Sequence, residues 1–114
     1  MSKFLVLYMA PVAVVDEWMK KPAEERKGEE TKMMEAWQKW MSANVRSFVD
    51  KGAGAGKPKR VSSTGVADGR NDIMMYQIVE ADSHDAAAKM FAGHPHFVIP
   101  QATIEIMPLK SMEG

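Results

Sequence analysis

Residues 72–80 read Asp72-Ile73-Met74-Met75-Tyr76-Gln77-Ile78-Val79-Glu80, and residues 81–97 continue ADSHDAAAKMFAGHPHF. The first of these runs is apolar at odd and even positions alike, which suits a strand covered on both faces. The second run opens with helix-start chemistry. Asp82 or Ser83 can cap free amides and Asp85 suits the positive end of the helix dipole. Ala86, Ala87, Met90 and Phe91 then form a small inner stripe, Gly93 ends the helix and Pro95 prevents its resumption. Downstream, Ala102 to Leu109 (ATIEIMPL) alternates cleanly, with Ile104 and Ile106 on one face and Thr103, Glu105 and Met107 on the other, so a last strand is expected there.

Upstream, Lys3 to Met9 (KFLVLYM) is a near-continuous apolar run closed by Pro11, and reads as the first strand. Val12 to Lys20 fits a short helix that ends before Pro22. Residues 21–32, rich in Lys and Glu, read as a solvated turn or frayed helix start. From Met33 onward, Trp37, Trp40, Met41, Asn44, Val45 and Phe48 recur at spacings of three and four, which predicts the main helix to about Asp50, with Lys51-Gly52 as its C-terminal cap. Gly52 to Pro58 departs from a phosphate loop. The glycine spacing is one short, Pro58 stands where Ser or Thr would ligate magnesium, and a helix precedes it, so a flexible connector is expected. Lys59 to Val66 has the β-branched content of an exposed or edge strand, and Ala67 to Asn71 supplies a turn, so this strand is expected to form a hairpin with 72–80.

The expected order is strand, helix, strand, strand, helix, strand. That is an α+β, ferredoxin-like β-α-β-β-α-β fold with an antiparallel four-stranded sheet and both helices on one face. A chain of 114 residues forms one such domain, residues 1–114. The sheet's other face is left bare. Phe4, Val6 and Tyr8 oppose Leu5, Leu7 and Met9 in parity, and both sets are apolar, so a homodimer packed through the sheet is expected.

Composition narrows the function. Fifteen basic side chains balance fifteen acidic ones, which removes the broad positive field that non-specific nucleic-acid or anionic-membrane binding requires. The chain has no cysteine, so thiolate metal sites and cysteine nucleophiles are excluded. A signal peptide and a membrane span are both missing from the pattern, and a cytoplasmic location is the default expectation. The chain has eleven methionines, and Met33, Met34, Met41, Met74, Met75 and Met90 fall inside predicted elements and suit core gaps.

KFLVLYM, the Trp18 and Trp40 segments, and above all YQIVEADSHDAAAKMFAGHPHF followed by ATIEIMPL resemble the YCII-related, DGPF-type family of small dimeric α+β barrel proteins. The likeness covers most of the chain and is specific from about Asp68 to Leu109. It implies a ferredoxin-like protomer, a dimer made by facing sheets, and a ligand-sized cleft between helix and sheet. Some members of the family resemble hydrolases or dehalogenating enzymes, and the wider barrel superfamily includes cofactor-independent monooxygenases. Asp68-Gly69 carries over from the family's Asp-Gly-Pro-Phe motif, whereas Arg70-Asn71 replaces its second half. The early histidine of the family's acid/base dyad has no counterpart before His84, so that dyad is not transferred.

The candidate site residues follow from this pattern. His94 and His96 flank a proline just past a helix end, where carbonyls favour a charged imidazole. His94 can shuttle a proton, helped by Asp68 or Glu105, or can cap the helix; two histidines two residues apart can also join a metal site, which the spacing does not require. Arg70 and Asn71 belong to the densest polar cluster of the latter half, beside a strand end, and with Trp37, Tyr76 and His96 are candidates to hold a small ligand. Two functions are expected: an enzyme without cofactor that moves a proton on a small apolar or aromatic ligand, or a non-catalytic module that binds a small metabolite or a partner.

Overall fold

The computed structural model describes residues 1–112. Strand β1 (Ser2–Met9) leads into helix α1 (Val12–Met19) and then helix α2 (Ala23–Ala43); a single 3-10 turn at Val45–Ser47 precedes strand β2 (Phe48–Gly54). Strands β3 (Lys59–Ser62) and β4 (Gly65–Asp68) follow, then β5 (Ile73–Ala81), helix α3 (His84–Met90), a second 3-10 turn (Pro95–Val98) and β6 (Thr103–Pro108). Four strands form one antiparallel sheet in the order β2-β5-β1-β6, while β3 and β4 pair only with each other.

Alternation along β1 decides which face is the core. Phe4, Val6 and Tyr8 are buried, as are their same-side neighbours Val79 and Gln77 on β5. Ala87 and Phe91 from the α3 segment join them, and Trp37 and Trp40 of α2 pack on the same cluster. α2 and the α3 segment therefore cover one face. Burying Phe4, Val6, Val79 and Phe91 stabilises the fold by about 1.5–3 kcal/mol each. The opposite face carries Leu5, Leu7 and Met9 beside Tyr76, Ile78 and Met107, all only half-buried.

Each helix begins after a proline or a cap. Pro11 and Pro22 stand at the N-cap positions of α1 and α2, where a missing N–H costs nothing. Of the two candidate caps for α3, Ser83 does the work: its hydroxyl accepts the Ala86 N–H at 3.0 Å. His84 then ties α3 to the sheet edge, its Nε2 lying 2.7 Å from the Ile106 carbonyl, with the ring stacked on Phe4.

Three expectations are corrected. The main helix runs over Ala23–Ala43 and not from Met33 to Asp50; residues 23–32 lack an apolar stripe yet are mostly strong helix formers, so propensity carries the helix past the turn expected there. Asn44 ends it, its Nδ2 donating to the Trp40 carbonyl at 2.8 Å. Phe48 to Gly54 is a strand paired with β5, which displaces both the expected helix end and the expected connector. Gly52 permits this. Its φ is +74°, and a Cβ there would lie 1.5 Å from the Tyr76 carbonyl oxygen, so only glycine lets the two backbones meet. Finally, residues 59–66 do not pair with 72–80. They fold back on themselves as the β3–β4 hairpin, closed at its base by Gly69 N–H to the Pro58 carbonyl at 3.1 Å.

The molecule is thin, 48 × 45 × 20 Å, with a radius of gyration of 16.0 Å. A compact domain of this length has about 13 Å. The excess comes from the outward parts, chiefly the fully exposed β3–β4 hairpin and the exposed first half of α2.

Candidate functional site

At the C-terminal end of β1 the chain leaves the sheet through Ala10 and Pro11, and α1 folds across the entrance of β5. Ala10 is buried and its N–H donates to the Asp72 carbonyl at 3.0 Å. Ala55 N–H donates to the Met74 carbonyl at 2.8 Å, and the Asn71 side-chain oxygen accepts the Ile73 N–H at 3.0 Å. These bonds hold residues 55–58 and 70–74 as two walls, with α1 as the third. They enclose a cleft of about 270 Å³ whose surface combines Ala10, Val12, Val15, Ile73 and Met74 with Lys57, Arg70 and Asn71.

One ion pair ties Arg70 of the cleft lining to α1. The Arg70 guanidinium grips Asp16 of α1 with two prongs, Nη2 to Oδ1 at 2.9 Å and Nη1 to Oδ2 at 3.4 Å. The hydrogen bond from Arg70 holds the Asp16 carboxyl below its usual range, with Arg70, Lys20 and Lys57 adding their fields, and Asp16 in turn raises Arg70. A larger hollow of about 490 Å³ runs along α2 between Ala23 and Gln38, but every residue lining it belongs to that one helix, so it has no second wall.

A second polar cluster lies inside the core. His94 and His96 are each only 2% exposed. His94 packs against the indoles of Trp37 and Trp40, both at 4.4 Å between ring centres, with Tyr8 at 5.2 Å and Phe91 at 6.0 Å. Its Nδ1 accepts the His96 N–H at 2.9 Å, so the hydrogen of the neutral ring sits on Nε2. That Nε2 is buried and, among the described residues, has no hydrogen-bond partner. Burial, with the neighbouring His96 adding repulsion, brings the His94 pKa down to about 4. His96 is also lowered by burial, although its contacts with Met9 and Thr103 oppose this; its Nε2 lies 2.9 Å from the Met9 carbonyl. Beside them the Tyr8 hydroxyl donates to Gln77 Oε1, and Gln77 Nε2 donates to the Lys51 carbonyl at 3.2 Å. Burial pushes the Tyr8 hydroxyl pKa well above the ordinary range.

The residues singled out from the sequence fall into separate places. His94, His96 and Trp37 meet in the core. Arg70 and Asn71 line the cleft. Tyr76 is on the open face, its hydroxyl donating to Asp50 Oδ2 at 3.1 Å, a bond that raises its pKa. Glu105 is exposed on β6, in register with Leu7 and so across the sheet from His94. Asp68 sits on the exposed hairpin, paired with Lys59 at 2.6 Å. Neither Asp68 nor Glu105 is hydrogen-bonded to His94. Among the described residues, no three His, Asp or Glu side chains come together as a metal site, and no helix is long and apolar enough to cross a membrane.

Sequence reasoning missed Asp16 as the partner of Arg70, because the two are 54 positions apart and nothing local links them. It also missed Gln77. There a signal existed: Gln77 is the one amide within the apolar run 73–79, and a lone polar group in a buried strand demands a partner. Compared with known proteins, the chain matches no family model and no curated protein.

Proposed function

We propose that this chain is the protomer of a dimeric α+β barrel and that it binds a small molecule in the cleft beneath α1 without acting on it. The order β2-β5-β1-β6, antiparallel throughout, supports a ferredoxin-like plan, since two interleaved β-α-β units give that order. The sequence likeness to the YCII-related family over residues 68–109 points the same way. The half-buried apolar row Leu5, Leu7, Met9, Tyr76, Ile78 and Met107 supports pairing of two copies through their open sheet faces.

The observation that carries the binding reading is the division between cleft and histidines. The cleft offers an apolar floor and polar groups on its rim, the usual make-up of a small-molecule site. The histidines that would move a proton are sealed in the core, and His94 stays neutral down to about pH 4. A base that works near neutrality needs a pKa closer to the working pH.

A fragment screen followed by amide and methyl NMR tests this. Binding that perturbs Ala10, Val12, Val15 and Met74 supports the cleft; no perturbation by any fragment overturns it. The unpaired Nε2–H of His94 favours a second reading, in which His94 donates a hydrogen bond to a ligand reaching the core. Perturbation centred on Trp37, Trp40 and His94 would favour that reading over the first.

A further inference from the structure

We infer, taking the cleft beneath α1 as the ligand site, that it recognises small carboxylates and that Asp16 is the built-in carboxylate holding the recognition position until a ligand displaces it. The Arg70 fork is already engaged in the geometry with which arginine reads carboxylates, two roughly parallel N–H to oxygen bonds. The pair is open to water, with both side chains 47% exposed. Exposed ion pairs are weak, so exchanging Asp16 for another carboxylate costs little.

The cleft supplies what tips the exchange. Lys57 lines it and acts on Asp16 through its charge, yet among the described residues Lys57 has no carboxylate within ion-pair distance. Arg70 is bonded to Asp16 while Lys57 is left without an ion pair among the described residues, so a ligand carboxylate that enters here can draw on both cations. The acidic member of the walls is Asp72, whose backbone carbonyl is held by Ala10. Below this rim, Ala10, Val12, Val15, Ile73 and Met74 offer the ligand's body an apolar bed that Asp16, tethered to α1, does not fill. At about 30 Å³ per water-sized unit, the roughly 270 Å³ available suits a compact acid with a flat or branched apolar body. Benzoate is such an acid, and benzamide is its neutral counterpart.

The test is a titration of the full chain with both compounds, read by NMR shifts at Val12, Val15 and Met74. Benzoate is expected to bind the wild type weakly and D16N at least fivefold more tightly, because Arg70 is no longer occupied. R70Q should lose benzoate binding at least tenfold and Lys57→Gln about threefold, while benzamide binds all four proteins alike. Equal benzoate affinity in wild type, D16N and R70Q overturns the proposal. If benzamide still shifts the cleft signals in that case, the cleft stands as a ligand site and only the carboxylate preference falls. If neither compound shifts them in any variant, the cleft itself is not the site. The Asp16 and Arg70 side chains are half-exposed, so both substitutions leave the core untouched; the unshifted indole signals of Trp37 and Trp40 verify this.

Discussion

The imidazole of His94 accepts the backbone N–H of His96 at 2.9 Å, and this bond fixes which end of the ring carries its hydrogen. It also caps the 3-10 turn that begins at Pro95. The ring is held as a neutral donor, walled by two indoles, and protonation is opposed as long as the core stays closed.

Stability should therefore fall with acid. Unfolded histidine takes up its proton near 6.5, whereas folded His94 does so only near 4, and His96 is shifted in the same direction. The stabilisation is complete above about pH 6.5 and drains away as the pH drops towards 4. For His94 the loss is on the order of 2 to 3 kcal/mol. Urea unfolding at pH 7 and pH 4.5 measures it, and His94→Phe should flatten the dependence. Equal wild-type midpoints at the two pH values would contradict the burial of this ring.

Tyr8→Phe removes the donor to Gln77 Oε1 while keeping the ring contacts with Trp37 and Phe91. The amide oxygen is then left buried and unpaired, at a cost of about 1–3 kcal/mol. The double variant Tyr8→Phe, Gln77→Leu should recover part of that loss, because both polar partners are gone. Chemical denaturation of the four proteins of the cycle gives the coupling.

Two glycines should respond in opposite senses to alanine. Gly28 lies inside α2 with open space around it, and Gly28→Ala should stabilise the protein by about 0.5–1 kcal/mol. Gly52→Ala would drive a methyl into the Tyr76 carbonyl and should cost several kcal/mol, through both the clash and the positive φ. Thermal melts of both variants, run side by side, test the strand assignment of residues 48–54.

Leu7→Asp places a charge in the middle of the open sheet face, between Tyr76 and Glu105 in register. The residue is already half-exposed in a single chain, so the fold should persist while self-association is lost. Light scattering is expected to move from twice the 12.7 kDa chain mass to the single value. A wild type that scatters as one chain at micromolar concentration overturns the paired-sheet proposal.

The strands that were legible were those whose pattern is dictated by the core itself. Lys3 to Met9, Asp72 to Glu80 and Ala102 to Leu109 differ from β1, β5 and β6 only at their ends, because double-sided burial or clean alternation leaves little else for such residues to do. Phe48 to Gly54 was illegible. Its glycines read as punctuation, and the reason they belong in a strand is the close approach to Tyr76 from a distant segment. The hairpin of β3 and β4 was half legible: β-branched content gave one strand over 59–66, which the structure splits into β3 and β4, and nothing local favoured Val66 over β5 as the partner of Val61. At the site, Arg70 and Asn71 stood out by their density beside a strand end, whereas Asp16 and Lys57 acquire meaning only once α1 and the 55–58 loop are brought against them.

β1 lies between β5 and β6, and every residue that pairs with it is more than sixty positions further along the chain. During translation at about 5–20 residues per second, Phe4, Val6 and Tyr8 leave the ribosome several seconds before anything exists to shelter them. Of the two helices made in the interval only α2 packs on that core, and it cannot substitute, since the core is completed by β5, the α3 segment and β6, not yet synthesised. The nascent chain thus carries the apolar run 4–9 without its strand partners until β5 arrives.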